Sequence, residues 1–239
     1  MEYIEIHNLI GSYKDKNKVK TNSWFFKTGL GEYGEGDKFL GIIVPVARKI
    51  AIILKDISID EVDMLLESKY HEERLIGLLI LVSRYERASK NNDLELCNSV
   101  FNYYLTKTGR INNWDLVDVS CYKIVGKHLI NSDRSILYKL AKSENLWERR
   151  ISVISTLAFI MNEEYIDTFN ITDILLSDSH DLIQKACGWM LREVGKRVSM
   201  DKLKEFLKTR YMEMPRTMLR YSIEKFPEKE RRRYIEGKV

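Results

Sequence analysis

A chain of 239 residues that is 44% apolar and 31% charged has the material for a sizeable core, and three prolines with twelve glycines leave few helix breakers, so the expected class is all-α. No apolar run approaches the roughly 18 residues of a membrane span, and the opening MEYIEIHNLI has no basic stretch followed by an apolar one; a soluble cytoplasmic protein without membrane contact is expected. The net charge of +4 hides an asymmetry, because from Gln184 onward 16 Lys and Arg face 8 Asp and Glu, while residues 1 to 183 carry 23 against 27. A basic C-terminal quarter fits a polyanionic partner or a merely solvated basic tail.

The first 41 residues read as an N-terminal helical cap followed by a glycine-rich loop. Within 28–41, GLGEYGEGDKFLG places five glycines (Gly29, Gly31, Gly34, Gly36, Gly41) where the helical pattern stops. No G-x-G-x-x-G stands there in a strand-to-helix context, which excludes a nucleotide-binding loop. A flexible connection and a loop closing over a ligand both remain open.

From residue 42 to 239 apolar residues recur at helical spacing. The segments are IDEVDMLLES, HEERLIGLLILVSRY, NDLELCNSVFNYYL, RSILYKLAKS, WERRISVISTLAFIM, HDLIQKACGWMLREVGKRV, DKLKEFLKTRY and PRTMLRYSIEKF. Ser58 before Glu61 and Asn92 before Glu95 have capping-box spacing, and Pro215 suits a first helical turn. Short connections between helices make sequential helices antiparallel neighbours, and pairs follow one another at roughly 35 to 45 residues, the spacing of HEAT-like arrays. The architecture expected is a single helical-repeat solenoid with one concave surface.

Cys97, Cys121 and Cys187 are odd in number and widely spaced, as buried thiols of a reducing compartment are. His7, His71, His128 and His180 are equally scattered. No metal site and no cofactor are expected.

The candidate chemistry begins at NNWDLVD, residues 112 to 118. On a helix Trp114 and Asp118 share one face, an indole beside a carboxylate, while Asp115 or Asp118 also suits a helix start. A second indole precedes Arg149 and Arg150 in LWERRISV, and a third, Trp189, stands three before Arg192 and seven before Lys196. Arg216 and Arg220 extend the pattern. Repeated on successive helix pairs, such residues would line a groove with flat aromatics and positive charge, suited to a nucleic-acid backbone. No recognition-helix, RNP or zinc-finger motif is present, so binding by shape and charge is expected, without base readout.

YGEGDKFLG, NNWDLVD, WERRISV, HDLIQKACGWMLREVGK and MPRTMLRYSIEKFPEKERRRY, in this order, resemble the AlkD-type family of DNA alkylation repair glycosylases over about Trp24 to Tyr234. The resemblance implies a HEAT-like solenoid with duplex DNA in a concave basic groove, removal of N3- and N7-alkylated purines, and capture of the backbone without flipping the base into a pocket. It implies that Asp118 is the catalytic carboxylate, Trp114 and Trp189 the indoles that contact deoxyribose and backbone, and Arg150 the cation near the flanking phosphate, with Arg149 its neighbour. Arg192, Lys196, Arg216 and Arg220 are the remaining DNA-binding candidates. Ile43 departs from the pattern, standing where some members carry a polar residue. A monofunctional glycosylase acting as a monomer in the nucleoid is the expectation. A non-catalytic DNA-binding solenoid and a protein-interaction scaffold are the alternatives.

Overall fold

The structure is a computed structural model and describes residues 3–239. It is all-α; among the described residues there is no β-strand, only an isolated parallel bridge between Lys38 and Tyr70. The chain divides into two compact units, Met1–Ser120 and Cys121–Val239. No helix of the described residues is long and apolar enough to cross a membrane.

The first unit holds α1 (Tyr3–Gly11), α2 (Lys16–Phe25), α3 (Val44–Ile53), α4 (Ile59–Leu66), α5 (His71–Lys90), α6 (Leu94–Thr106) and, after a 3-10 turn, most of α7 (Trp114–Cys121). α5 is its centre, packed against α3, α4 and α6. Every residue from His71 to Val82 is buried, so the front half of this helix has no solvent face. Gly77 lets α4 come close, since a Cβ there would lie 3.1 Å from Leu66 Cδ2. The capping box at Ser58 is present, with Ser58 Oγ accepting from Glu61 N and Glu61 Oε2 from Ser58 N. The box expected at Asn92 does not form, and the cap stands one residue later. Asp93 is the cap, its carboxylate accepting from Leu96 N, and Asn92 instead takes the turn before it at φ +55°.

The second unit opens on a π-helical turn, Tyr122–Gly126, and continues through α8 (Ser135–Ala141), α9 (Leu146–Ser155), α10 (Leu157–Ile160), α11 (Ile166–Ile174), α12 (Asp181–Arg197), α13 (Met200–Arg210), α14 (Arg216–Ser222) and α15 (Glu228–Glu236). Here α12 is central and packs on α9, α13 and α14. Ile183, Cys187, Met190 and Leu191 of this helix are buried, and a fully buried Ile, Met or Leu side chain contributes roughly 1.5–3 kcal/mol. The segment expected as one helix, WERRISVISTLAFIM, breaks at Thr156, whose N–H and hydroxyl both bond to Val153 O and shift the ladder. All three cysteines are buried.

The glycine-rich stretch is stitched into the first unit. Glu32 and Glu35 accept from Gly29 N and Gly31 N, both at 2.8 Å. Gly41 has φ +83°, and a Cβ there would lie 2.1 Å from Asp15 O, so only glycine passes this point.

Candidate active site

Four consecutive charged residues begin α5, His71, Glu72, Glu73 and Arg74, and all are buried. Each holds a different segment. The Glu72 carboxylate accepts from three successive backbone N–H groups, Leu40 at 2.9 Å, Gly41 at 2.8 Å and Ile42 at 3.2 Å. Glu73 Oε1 meets His7 Nδ1 at 2.5 Å, tying down α1. Arg74 donates to Ser68 O at 2.9 Å and to Asp37 Oδ1 at 2.6 Å, fixing the end of the glycine-rich loop. Charges this deep persist because each has a partner.

His71 reaches toward α7. Its Nε2 lies 2.8 Å from Asp115 Oδ2 and its Nδ1 lies 3.4 Å from Asp37 Oδ2. Burial opposes the imidazolium, but the Coulomb attraction and hydrogen bond of Asp115, with help from Asp37, lift its pKa from 6.5 to about 9. Burial likewise works against the Asp37 carboxylate, yet His71 and Arg74 hold it below its ordinary value. Phe26 and Phe39 cover the imidazolium, with ring centroids 4.7 and 4.9 Å away.

The same Phe26 stacks on Trp114 at 5.6 Å with planes 25° apart, and Phe25 meets Trp114 edge-on at 5.9 Å. Trp114 is therefore backed by two phenyl rings and, behind Phe26, by a cation. Asp115 also accepts from Leu116 N at 2.9 Å, anchoring the first turn of α7. The two acids of NNWDLVD thus divide: Asp115 is buried in the His71 network, and Asp118 is half-buried on the face it shares with half-buried Trp114. Asn113 is fully buried, and its Nδ2, like Asn112 Oδ1, has no hydrogen-bond partner among the described residues.

The other candidates lie in the second unit. On α9, Trp147 is buried, a core residue where a groove-lining indole was expected. Arg149 bonds Asp178 Oδ2 at 2.7 Å and the carbonyls of Ser143 and Glu144, and buried Arg150 donates to Leu182 O at 2.6 Å. Both guanidiniums thus have internal partners that the spacing did not reveal. On α12, Trp189 is half-buried and Lys196 exposed, while Arg192 pairs with Glu224. On α14, Arg216 donates to Ile235 O at 2.7 Å, and Arg220 is exposed. Gly188 brings α12 against α14, since a Cβ there would lie 2.5 Å from both Met218 O and Tyr221 Cβ.

Sequence reading passed over His71, Asp37 and Phe26. The available signal was four charged residues placed directly before the apolar run Leu75–Val82, a cost a protein bears only where partners exist. Ile43 caps α3 with no side-chain hydrogen bond and is partly exposed. Among the described residues no three His, Cys, Asp or Glu side chains stand close enough to hold a metal ion.

No curated protein matches the chain. Among solved structures, a protein described as a predicted DNA alkylation repair enzyme from Enterococcus faecalis superposes with a TM-score of 0.67 at 18% identity, covering 90% of this chain and 97% of its own. That likeness shows the fold. The family model for the DNA alkylation repair enzyme matches residues 6–226. With nearly its whole length matched, the chain belongs to the DNA alkylation repair enzyme family.

Proposed function

We propose that this family member is a DNA glycosylase of base excision repair, hydrolysing the N-glycosidic bond of N3- or N7-alkylated purines in duplex DNA. The observation that carries the reading is the division of labour on α7: Asp115 is committed to His71, while Asp118 shares its half-buried face with Trp114.

A purine alkylated at N3 or N7 is positively charged and leaves readily. As the C1′–N bond breaks, its electron pair departs with the base and neutralises it, and positive charge develops on the sugar. A carboxylate beside that sugar stabilises the oxocarbenium-like state, and the Trp114 indole adds cation-π attraction while excluding water. Water then adds to C1′ and its proton passes to Asp118 or to solvent. Because the leaving group is already cationic, this chemistry needs neither a metal nor an organic cofactor. Trp189, with Arg149, Arg150, Arg192, Lys196, Arg216 and Arg220, belongs to binding of the DNA backbone in this reading. With no fitted base pocket required, selectivity follows the charge and lability of the lesion.

The test is release of free base from duplexes carrying either N7-methylguanine or a neutral lesion such as hypoxanthine. The reading expects release from the cationic lesion only, leaving an abasic site whose strand breaks only on later alkali treatment. Binding to both duplexes without release from either would make the protein a non-catalytic DNA-binding module.

A further inference from the structure

α2 differs in kind from the other helices around it: none of its residues is buried. Lys16, Lys20 and Trp24 recur every four residues and so form one stripe, all exposed, and exposed Lys27 follows at its end. The other lysine of the helix, Lys18, is held at 3.3 Å by Asp15, so it does not add to this stripe. Trp24 is 80% and Leu30 94% exposed, and Phe25 beside them is 54% exposed. Trp24, Phe25 and Lys27 border an open depression with Thr28, Gly29 and Glu32. An indole so exposed, in a protein with ample core elsewhere, marks a contact surface.

The surface is tied to the candidate site. Phe25 packs edge-on against Trp114 and Phe26 stacks on it, so the aromatic run Trp24–Phe25–Phe26 leads from the lysine stripe to the indole one turn before Asp118. We infer that α2 is a second DNA-contacting element. Lys16, Lys20 and Lys27 take phosphates of the duplex flanking the lesion, and Trp24 and Phe25 lie against its sugars and base edges. The charge is complementary to a polyanion, and the aromatic faces suit nucleotides loosened by damage. This inference rests on the DNA reading above and extends it to α2, whose lysines the sequence pattern did not single out.

The test compares the intact protein with a triple Lys16→Gln/Lys20→Gln/Lys27→Gln variant and with Trp24→Ala, after melting curves show all three folded. Binding to a duplex carrying an abasic-site analogue is measured across a salt series, because each lost phosphate contact lowers the slope of log affinity against log salt by roughly 0.9. The triple variant is expected to lose two to three such increments. Trp24→Ala is expected to keep the slope and weaken binding roughly fivefold or more. A triple variant with an unchanged slope overturns the inference. So does binding to vesicles of phosphatidylserine and phosphatidylcholine that the triple substitution abolishes while DNA binding is untouched, an outcome that assigns the stripe to a membrane surface. If the intact protein releases N7-methylguanine while the slopes agree, only the α2 assignment falls; if it neither binds DNA nor releases base, the functional reading falls with it.

Discussion

His71 Nε2 lies 2.8 Å from Asp115 Oδ2, joining the first turn of α5 to the first turn of α7 across a sequence separation of 44 residues. The ion pair is almost completely removed from water, with the His71 side chain 2% exposed. It fixes the start of the helix that carries Trp114 and Asp118, so the catalytic proposal depends on a contact that itself touches no substrate.

Protonated His71 makes stability depend on pH. Its folded pKa, about 9, lies above the ordinary 6.5, so the stabilisation is complete below pH 6.5 and disappears as pH rises through 9. The amount at stake is on the order of 3 kcal/mol. Urea unfolding at pH 6, 7.5 and 9 should show a falling unfolding free energy, and His71→Gln should flatten that fall. A wild-type protein equally stable at pH 6 and 9 would mean that His71 is neutral in the fold.

The two acids of α7 should separate cleanly by measurement. Asp115→Asn leaves a buried imidazolium facing only Asp37 at 3.4 Å, a loss of about 3 kcal/mol by analogy with other broken buried pairs. Asp118→Asn, at a half-buried position, should cost about 1 kcal/mol or less. Chemical denaturation of both variants at pH 7 checks the order, and equal losses would contradict the division of roles.

Among the cations of the second unit, Arg149 and the exposed pair should answer to different assays. Arg149→Gln strips the contact to Asp178 and two carbonyl bonds, so the melting temperature should drop. Lys196→Gln with Arg220→Gln should leave melting unchanged and lower the salt slope of DNA binding by nearly two phosphate increments.

Gly188→Ala should cost about 1–3 kcal/mol, because the added methyl meets the Met218 carbonyl and the Tyr221 side chain. Gly11→Ala is the control, as nothing lies within 4 Å of a Cβ there. Differential scanning calorimetry of the two variants distinguishes a local packing cost from a general intolerance of alanine.

Much of the fold was legible because its signals are local. The Ser58 box needs only residues three apart, and the apolar period of HDLIQKACGWMLREVGKRV is repeated along one helix, now α12. Asn92 misled by one position because Asn and Asp both cap, and only the backbone decides which of two adjacent candidates stands at the helix entrance. The candidate site was half legible. Trp114 and Asp118 sit four apart on one helix, which spacing reveals; His71, Asp37 and Phe26 come together over 34 to 45 residues, which no period encodes. Trp147 looked like a groove residue beside its arginines, but tryptophan supplies large apolar area, and the core of the second unit took it.

The central claim is that Asp118 performs the chemistry. Its most direct test is single-turnover release of N7-methylguanine from duplex DNA by the intact protein and by Asp118→Asn, in the same salt, with binding measured alongside. The account predicts release by the intact protein that collapses at least a hundredfold in the variant while affinity for the duplex persists. Release that survives the substitution would contradict it.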